Sequence, residues 1–305
     1  MRVLVTGAAG FIASHLCEWL LERGHEVRAL VHYGEANIEH LNGIIDVVKG
    51  DIRFPDECKE AAKGVEAIAH LAALIHVDRS RRYPQLFWET NVGGTMNMLE
   101  AARLNDAAFM QMSTCEIIGN IPTGRADEEY PFKQPRSPYA ASKYAAEAYC
   151  HAYHATYGLG RIARCFNITG PRQKSGGKGA VVPTWINRVL GGEPPLIYGS
   201  GLQTRDYTDV RDIVRGLTLM LESSESKGEL IHFCSGLELT IKDVALKIVE
   251  KCGSDLSPVH VDGRPGELIR SVGDNKKALR LLGWQPTISF EETLRDMIAQ
   301  WREKT

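Results

Sequence analysis

Short apolar runs and amphipathic helical stretches alternate through the first half of the chain. Val3–Thr6 reads as a buried strand, Phe11–Arg23 as a helix ended by Gly24, and Glu26–Val31 and Asp46–Lys49 as the next two strands. Ala67–Ala72 is a fourth strand, Gln85–Leu104 a helix, and Phe109–Met112 a further strand. A long helix over Tyr139–Tyr157 leads into strand Arg161–Phe166. Repeated strand–helix–strand units require a parallel sheet covered by helices on both faces. Such sheets bind ligands beyond the carboxyl ends of their strands, where the strand order reverses, so residues just after strands carry the most weight.

The pattern loosens from Asn167 onward. Gly/Pro/Lys-rich Gly170–Gly179 reads as a mobile loop, and a helix at Val182–Leu190 is broken by Pro194-Pro195. Tyr198-Gly199-Ser200-Gly201 is a turn, and helices at Val210–Leu221, Ile241–Lys251 and Phe290–Arg302 complete the chain. The expected fold is α/β: a Rossmann-type doubly wound parallel sheet over residues 1–168, with a smaller C-terminal substrate-binding lobe over 169–305 interleaved with it.

Composition narrows the function classes. The chain has 305 residues, 44% hydrophobic and 24% charged, with a formal net charge of −2, so no overall basic field draws it to nucleic acid or anionic lipid. Arg79-Ser-Arg-Arg82 is the one dense basic cluster and reads as a solvated turn. The seven cysteines form no C-x-x-C pair and match no zinc spacing, so no metal is expected and reduced thiols in a cytoplasmic protein fit best. No leader-like segment precedes Val3, and no apolar stretch approaches the ~20 residues that span a bilayer.

Gly7-Ala-Ala-Gly10-Phe11-Ile12-Ala13 sits between the first strand and the first helix. Glycines there let the backbone approach a pyrophosphate, which then faces the helix N-terminus and its free N–H groups. At the end of the second strand, where a carboxylate would grip the adenosine ribose of NAD, stand Val31-His32-Tyr33. NAD and NADP therefore both stay open, with NAD the working expectation. Asp51, after the third strand, offers a carboxylate to the adenine amino group or a turn cap. Tyr139 and Lys143 lie four residues apart at the start of a helix, so phenol and ammonium share one face. A cation beside the phenol would lower its pKa and make it a base near neutral pH.

Thr6-Gly7-Ala-Ala-Gly10-Phe11-Ile12, Asp51-Ile52, His70-Leu71-Ala72-Ala73, Thr90-Asn91-Val92, Ser113-Thr114 and Tyr139-x-x-x-Lys143 occur in that order. Phe166-Asn167, Gly170-Pro171-Arg172, Arg205-Asp206-Tyr207 and Arg264-Pro265-Gly266 continue the series. This ordered set resembles the extended short-chain dehydrogenase/reductase family that modifies nucleotide sugars. The resemblance implies that Tyr139 takes the proton from the sugar O4 while hydride moves from C4 to the nicotinamide. It implies that Lys143 binds the nicotinamide ribose and holds Tyr139 anionic, and that Thr114 hydrogen-bonds O4. Leu71, Ala72, Ala73 and Asn91 would line the cofactor groove with Gly7, Gly10, Phe11, Ile12, Asp51 and Ile52. Asn167, Arg205 and Arg264 would grip the substrate diphosphate, a task suited to guanidinium forks. His76 would approach the sugar, with a loop histidine bonded to backbone as the favoured alternative. Without the resemblance, Arg205 beside Asp206 reads as a surface ion pair.

Ser113-Thr114-Cys115-Glu116 is similar to the Thr-Asp/Ser-Glu pattern of 4,6-dehydratases, in which Glu116 would remove the C5 proton and water would leave from C6. Cys115 stands where dTDP-glucose 4,6-dehydratases carry the acid that protonates the departing hydroxyl. A thiol of ordinary pKa ~8.5 is a poorer donor, and a packed small hydrophobe is the alternative. The expected activity is an NDP-hexose 4,6-dehydratase of the UDP-N-acetylglucosamine or dTDP-glucose type, with a 4-epimerase as the alternative. A 5,6-dehydratase, a uronate decarboxylase and a non-catalytic cofactor sensor rank lower. The family resemblance also implies a homodimer packed through the helices Gln85–Leu104 and Tyr139–Tyr157.

Overall fold

The computed structural model describes residues 1–34, 43–131, 135–176, 180–264 and 266–303. Of the glycine-rich loop expected over residues 170–179, residues 177–179 lie outside that set, as does Pro265. Among the described residues thirteen strands occur in chain order: β1 Arg2–Thr6, β2 Glu26–Val31, β3 Asp46–Lys49, β4 Ala67–His70, β5 Ala108–Thr114, β6 Ile162–Cys165, β7 Asn167–Thr169, β8 Leu196–Tyr198, β9 Thr204–Arg205, β10 Tyr207–Asp209, β11 Leu230–Phe233, β12 Leu239–Thr240 and β13 Val259–Val261. The helices are α1 Phe11–Glu22, α2 Pro55–Ala61, α3 Val77–Arg82, α4 Pro84–Phe87, α5 Gly94–Leu104, α6 Pro138–Tyr157, α7 Val181–Leu190, α8 Val210–Glu222, α9 Ile241–Cys252, α10 Lys276–Leu282 and α11 Phe290–Arg302.

Seven strands form one sheet in the order β11-β6-β5-β4-β1-β2-β3, every pair parallel. The strand order reverses between β1 and β4, which puts the Gly7 turn beside the segment following His70, at the switch point where such sheets open a crevice. This is the doubly wound α/β fold expected from the alternating pattern. Apolar side chains cover both faces: Leu16, Leu20, Val214 and Leu217 pack on one, and Met98, Leu99, Ala102 and Phe109 on the other. A separate core of Trp185, Ile186, Ile248, Leu294 and Ile298 holds α7, α9 and α11 together.

Three departures from the sequence pattern bear on the site. The fourth strand stops at His70 instead of Ala72, because the Leu71 and Ala72 N–H groups turn to the Thr6 hydroxyl at 3.1 and 3.0 Å. The helix expected over 85–104 is broken into α4 and α5 by a π-helical turn at Trp88–Gly93. Arg79-Ser-Arg-Arg82 is helical within α3 rather than a turn, because His76 enters in extended backbone and the Ser80 hydroxyl bonds the Val77 carbonyl at 2.6 Å. All seven cysteines are buried free thiols, and no helix among the described residues is long and apolar enough to cross a membrane.

Candidate active site

The cofactor end is built where β1 runs into α1. Gly7 adopts a φ of +68°, and a Cβ there would come within 2.9 Å of the Ala72 Cα. Only glycine lets the two loops approach this closely. Gly10 precedes α1 as its cap residue, so Phe11 and Ile12 open the helix with N–H groups that have no intrahelical acceptor. A cavity of about 490 Å³ is lined here by Gly7, His32, Asp51, Ile52, Ala72, Ala73 and Thr90. Its volume lies within the range of small-molecule sites, and its glycine-walled floor suits a dinucleotide. Asp51 is buried, and its carboxylate receives the Arg53 backbone N–H at 3.0 Å and the Arg53 guanidinium at 2.8 and 2.5 Å. Arg53 also lines this cavity, a cation that sequence reading passed over because it lies beyond the third strand's immediate end.

Asn91 does not line the cleft as the resemblance implied. It is 1% exposed. Its amide donates to the Leu74 carbonyl and the Ser142 hydroxyl, both at 2.9 Å, and its Oδ1 accepts the Leu74 N–H at 2.8 Å. The π-helical turn carries this side chain inward, so one amide clamps the loop after β4 to the catalytic helix.

On α6, the Ser137 hydroxyl caps the first turn by accepting the Ala140 N–H, and Pro138 takes the first helical position. Tyr139 and Lys143 both face inward and are buried. The Thr114 hydroxyl bonds the Tyr139 phenol while accepting the Glu116 N–H at 3.3 Å, which fixes its orientation. Burial pushes the phenol above its ordinary value, Thr114 pulls it down, and the nearby Glu116 carboxylate adds to the rise. Lys143 differs from expectation: its ammonium donates to the Met112 carbonyl at 2.6 Å, and burial lowers its pKa to about 8. The lysine thus bonds the strand that leads to Thr114.

Glu116 lies in the short 3₁₀ turn that follows β5. Burial raises its pKa, Arg205 opposes the rise and Glu267 adds to it. Cys115 points elsewhere. Its thiol packs with Ile118, Ile121, Phe166 and Cys234, accepts the Ser271 hydroxyl at 3.6 Å, and is pushed up to about 12 by burial. That environment supports the packing alternative and corrects the expectation of a proton donor, because a thiol so weakly acidic transfers its proton poorly.

A larger cavity of about 1180 Å³ adjoins, and His76, Asn167, Arg205 and Arg264 all line it. Arg264 stacks on Tyr198 at 4.0 Å. Arg205 bonds the Thr204 and Leu268 carbonyls at 2.8 Å and Glu267 at 3.4 Å. The surface ion pair with Asp206 does not form. Asp206 is fully buried and accepts N–H groups from Ser235, Gly236 and Gly273, tying together three loop segments. Trp185, Tyr198 and Glu267 line the cavity too; the segment Leu196-Ile-Tyr198-Gly reads from sequence as a specificity element, whereas no local motif announces Trp185.

Residues 4–297 match the family model described as GDP-mannose 4,6 dehydratase. A dTDP-glucose 4,6-dehydratase from Streptomyces niveus is 36% identical over 319 residues, 99% of this chain and 93% of the relative. Among solved structures, a dTDP-glucose 4,6-dehydratase from Streptomyces venezuelae with NAD and TYD bound superposes with a TM-score of 0.91 at 36% identity, covering 99% of this chain and 97% of that one. A UDP-glucose 4-epimerase from Thermotoga maritima with UDP-glucose reaches a TM-score of 0.94 at 32% identity, covering 100% and 99%.

Proposed function

This chain belongs to the extended short-chain dehydrogenase/reductase family of NAD-dependent nucleotide-sugar dehydratases and epimerases, and from that premise we propose that it is an NDP-hexose 4,6-dehydratase acting through transient oxidation at C4. Residues 1–168 would hold the cofactor and 169–305 the nucleotide sugar. NAD fits the cleft at the Gly7 turn, where Gly7, Ala72, Ala73 and Asp51 would hold it. When bound, its nicotinamide supplies a reversible hydride acceptor for the C4 hydrogen.

The protein's own groups supply the proton transfers. Tyr139, oriented by Thr114, takes the O4 proton as the ketone forms. Lys143 binds the nicotinamide ribose and, once turned from Met112, stabilises the phenolate. The C4 ketone makes the C5 hydrogen acidic; Glu116 removes it as a proton and passes that proton to the C6 hydroxyl, which leaves as water. Bound NAD would supply the hydride for C6, and C5 would take a proton from solvent as Tyr139 releases the one it took from O4, giving a 4-keto-6-deoxy sugar. Asn167, Arg205 and Arg264 hold the diphosphate, and His76 stands by the sugar.

One observation carries this reading: a largely buried Glu116 carboxylate, with raised pKa, beside the Tyr139 phenol. Epimerisation has no use for such a base. The test is a panel of UDP-, dTDP-, GDP- and CDP-hexoses scored by mass spectrometry. A product lighter by one water, with no net change in NADH, supports the dehydratase; a product of unchanged mass overturns it. The 4-epimerase is the second reading, favoured by the inward-turned Cys115, which leaves the departing C6 hydroxyl without the usual acid.

We also propose a homodimer in the cytoplasm. Trp88, Tyr144 and Tyr149 on the two helical stretches are exposed and offer apolar surface to a second copy, and seven buried reduced thiols suit a reducing compartment. Sedimentation as a monomer at micromolar concentration overturns the dimer.

A further inference from the structure

Arg79 is the one described residue that borders both the cofactor cleft and the substrate cavity. It lies in α3 and is exposed, and its guanidinium has no hydrogen-bond or ion-pair partner among the described residues. Its neighbours on α3 are otherwise engaged. Arg81 pairs with Asp78 at 3.3 Å and packs against the segment bearing Arg264, since a Cβ on Gly266 would meet its guanidinium at 3.0 Å. Arg82 borders the substrate cavity alone.

Two anionic ligands in adjoining cavities repel each other, because salt screens charge only over a Debye length of about 8 Å. A shared cation reverses that sign. Guanidinium carries five donors in a rigid fork and can bond two sets of phosphate oxygens at once, which an ammonium does less well.

We propose that Arg79 couples the two sites: its guanidinium bridges the dinucleotide's phosphates on one side and the substrate's diphosphate on the other, so each ligand binds more tightly when the other is present. This rests on the nucleotide-sugar reading of the larger cavity.

The experiment is calorimetric titration of the full-length protein with NAD, alone and with saturating UDP or dTDP, in wild type, Arg79→Gln and Arg79→Lys. The expected result is NAD binding about tenfold tighter in the presence of a nucleoside diphosphate, within the usual range of site–site coupling, with the same factor in the reverse titration. Arg79→Gln loses the tightening, Arg79→Lys keeps part of it, and raising the salt concentration shrinks it in wild type. Unchanged thermal unfolding of Arg79→Gln is expected from an exposed side chain without partners. Failure of both diphosphates to bind overturns the nucleotide-sugar reading and this proposal with it. Binding of both ligands without coupling, or coupling that survives Arg79→Gln, overturns this proposal alone.

Discussion

The ammonium of Lys143 donates to the Met112 carbonyl at 2.6 Å, which ties the helix bearing Tyr139 to the strand that ends in Thr114. One hydrogen bond thereby brings together the elements that carry Thr114, Tyr139 and Lys143.

Burying that ammonium has a pH signature. The folded pKa of about 8 lies below a lysine's ordinary 10.5, so between these values the folded chain has released a proton that the unfolded chain retains. The site's contribution to stability therefore rises with pH across that window, and its cost is fully present below about pH 8. Lys143→Met should melt higher than wild type at pH 7, with the advantage shrinking towards pH 10, and should be inactive. Differential scanning calorimetry across pH checks this; a pH-independent difference refutes it.

Tyr139→Phe removes the proton acceptor and should lower kcat by about 10²–10⁴-fold, the usual span for a general base. Thr114→Val should cost less, about tenfold or more, because the phenol loses its orienting partner but keeps its place. Steady-state rates on the accepted sugar nucleotide measure both. A Tyr139→Phe enzyme within a factor of ten of wild type removes the phenol from the mechanism.

Glu116→Gln should abolish loss of water while leaving hydride exchange at C4, read as transient NADH absorbance. In wild type, kcat/KM should fall as pH drops through a pKa above the ordinary carboxylate range, since the base works only when ionised and burial raises its pKa. Cys115→Ala, by contrast, should retain turnover and lose about 1–2 kcal/mol of stability through the small cavity left in an apolar cluster. A Cys115→Ala variant that folds but forms no dehydrated product restores the thiol as proton donor.

Asn91→Ala removes three buried hydrogen bonds and leaves the Leu74 N–H and carbonyl unsatisfied, so it should cost about 2–4 kcal/mol. It should also raise the KM for substrate, because the freed loop leads to His76. Urea unfolding and Michaelis kinetics test the two effects, and a change below about 0.5 kcal/mol contradicts the clamp.

Much of this molecule is legible in local pattern. Apolar runs placed between helical stretches specify the parallel strands, because period and length are properties of a short segment. Gly7 reads as the cofactor turn from its place after β1, and Tyr139 and Lys143 read as a pair because four residues bring two side chains to one helical face. Other features depend on which distant groups pack together. Nothing around Asn91 announces a π-helical turn that aims its amide at Leu74 and Ser142. Cys115 and Glu116 are adjacent in sequence, yet one enters an apolar cluster and the other faces Arg205, an outcome set by Ile121, Phe166 and Cys234 closing from other elements. Arg79 reads as solvated charge until the loop after β4 folds over the crevice and places it between two cavities. Sequence determines local conformation through short-range sterics and hydrophobic period; long-range packing decides the direction and partner of each polar side chain, because burial energy is shared among residues far apart in the chain.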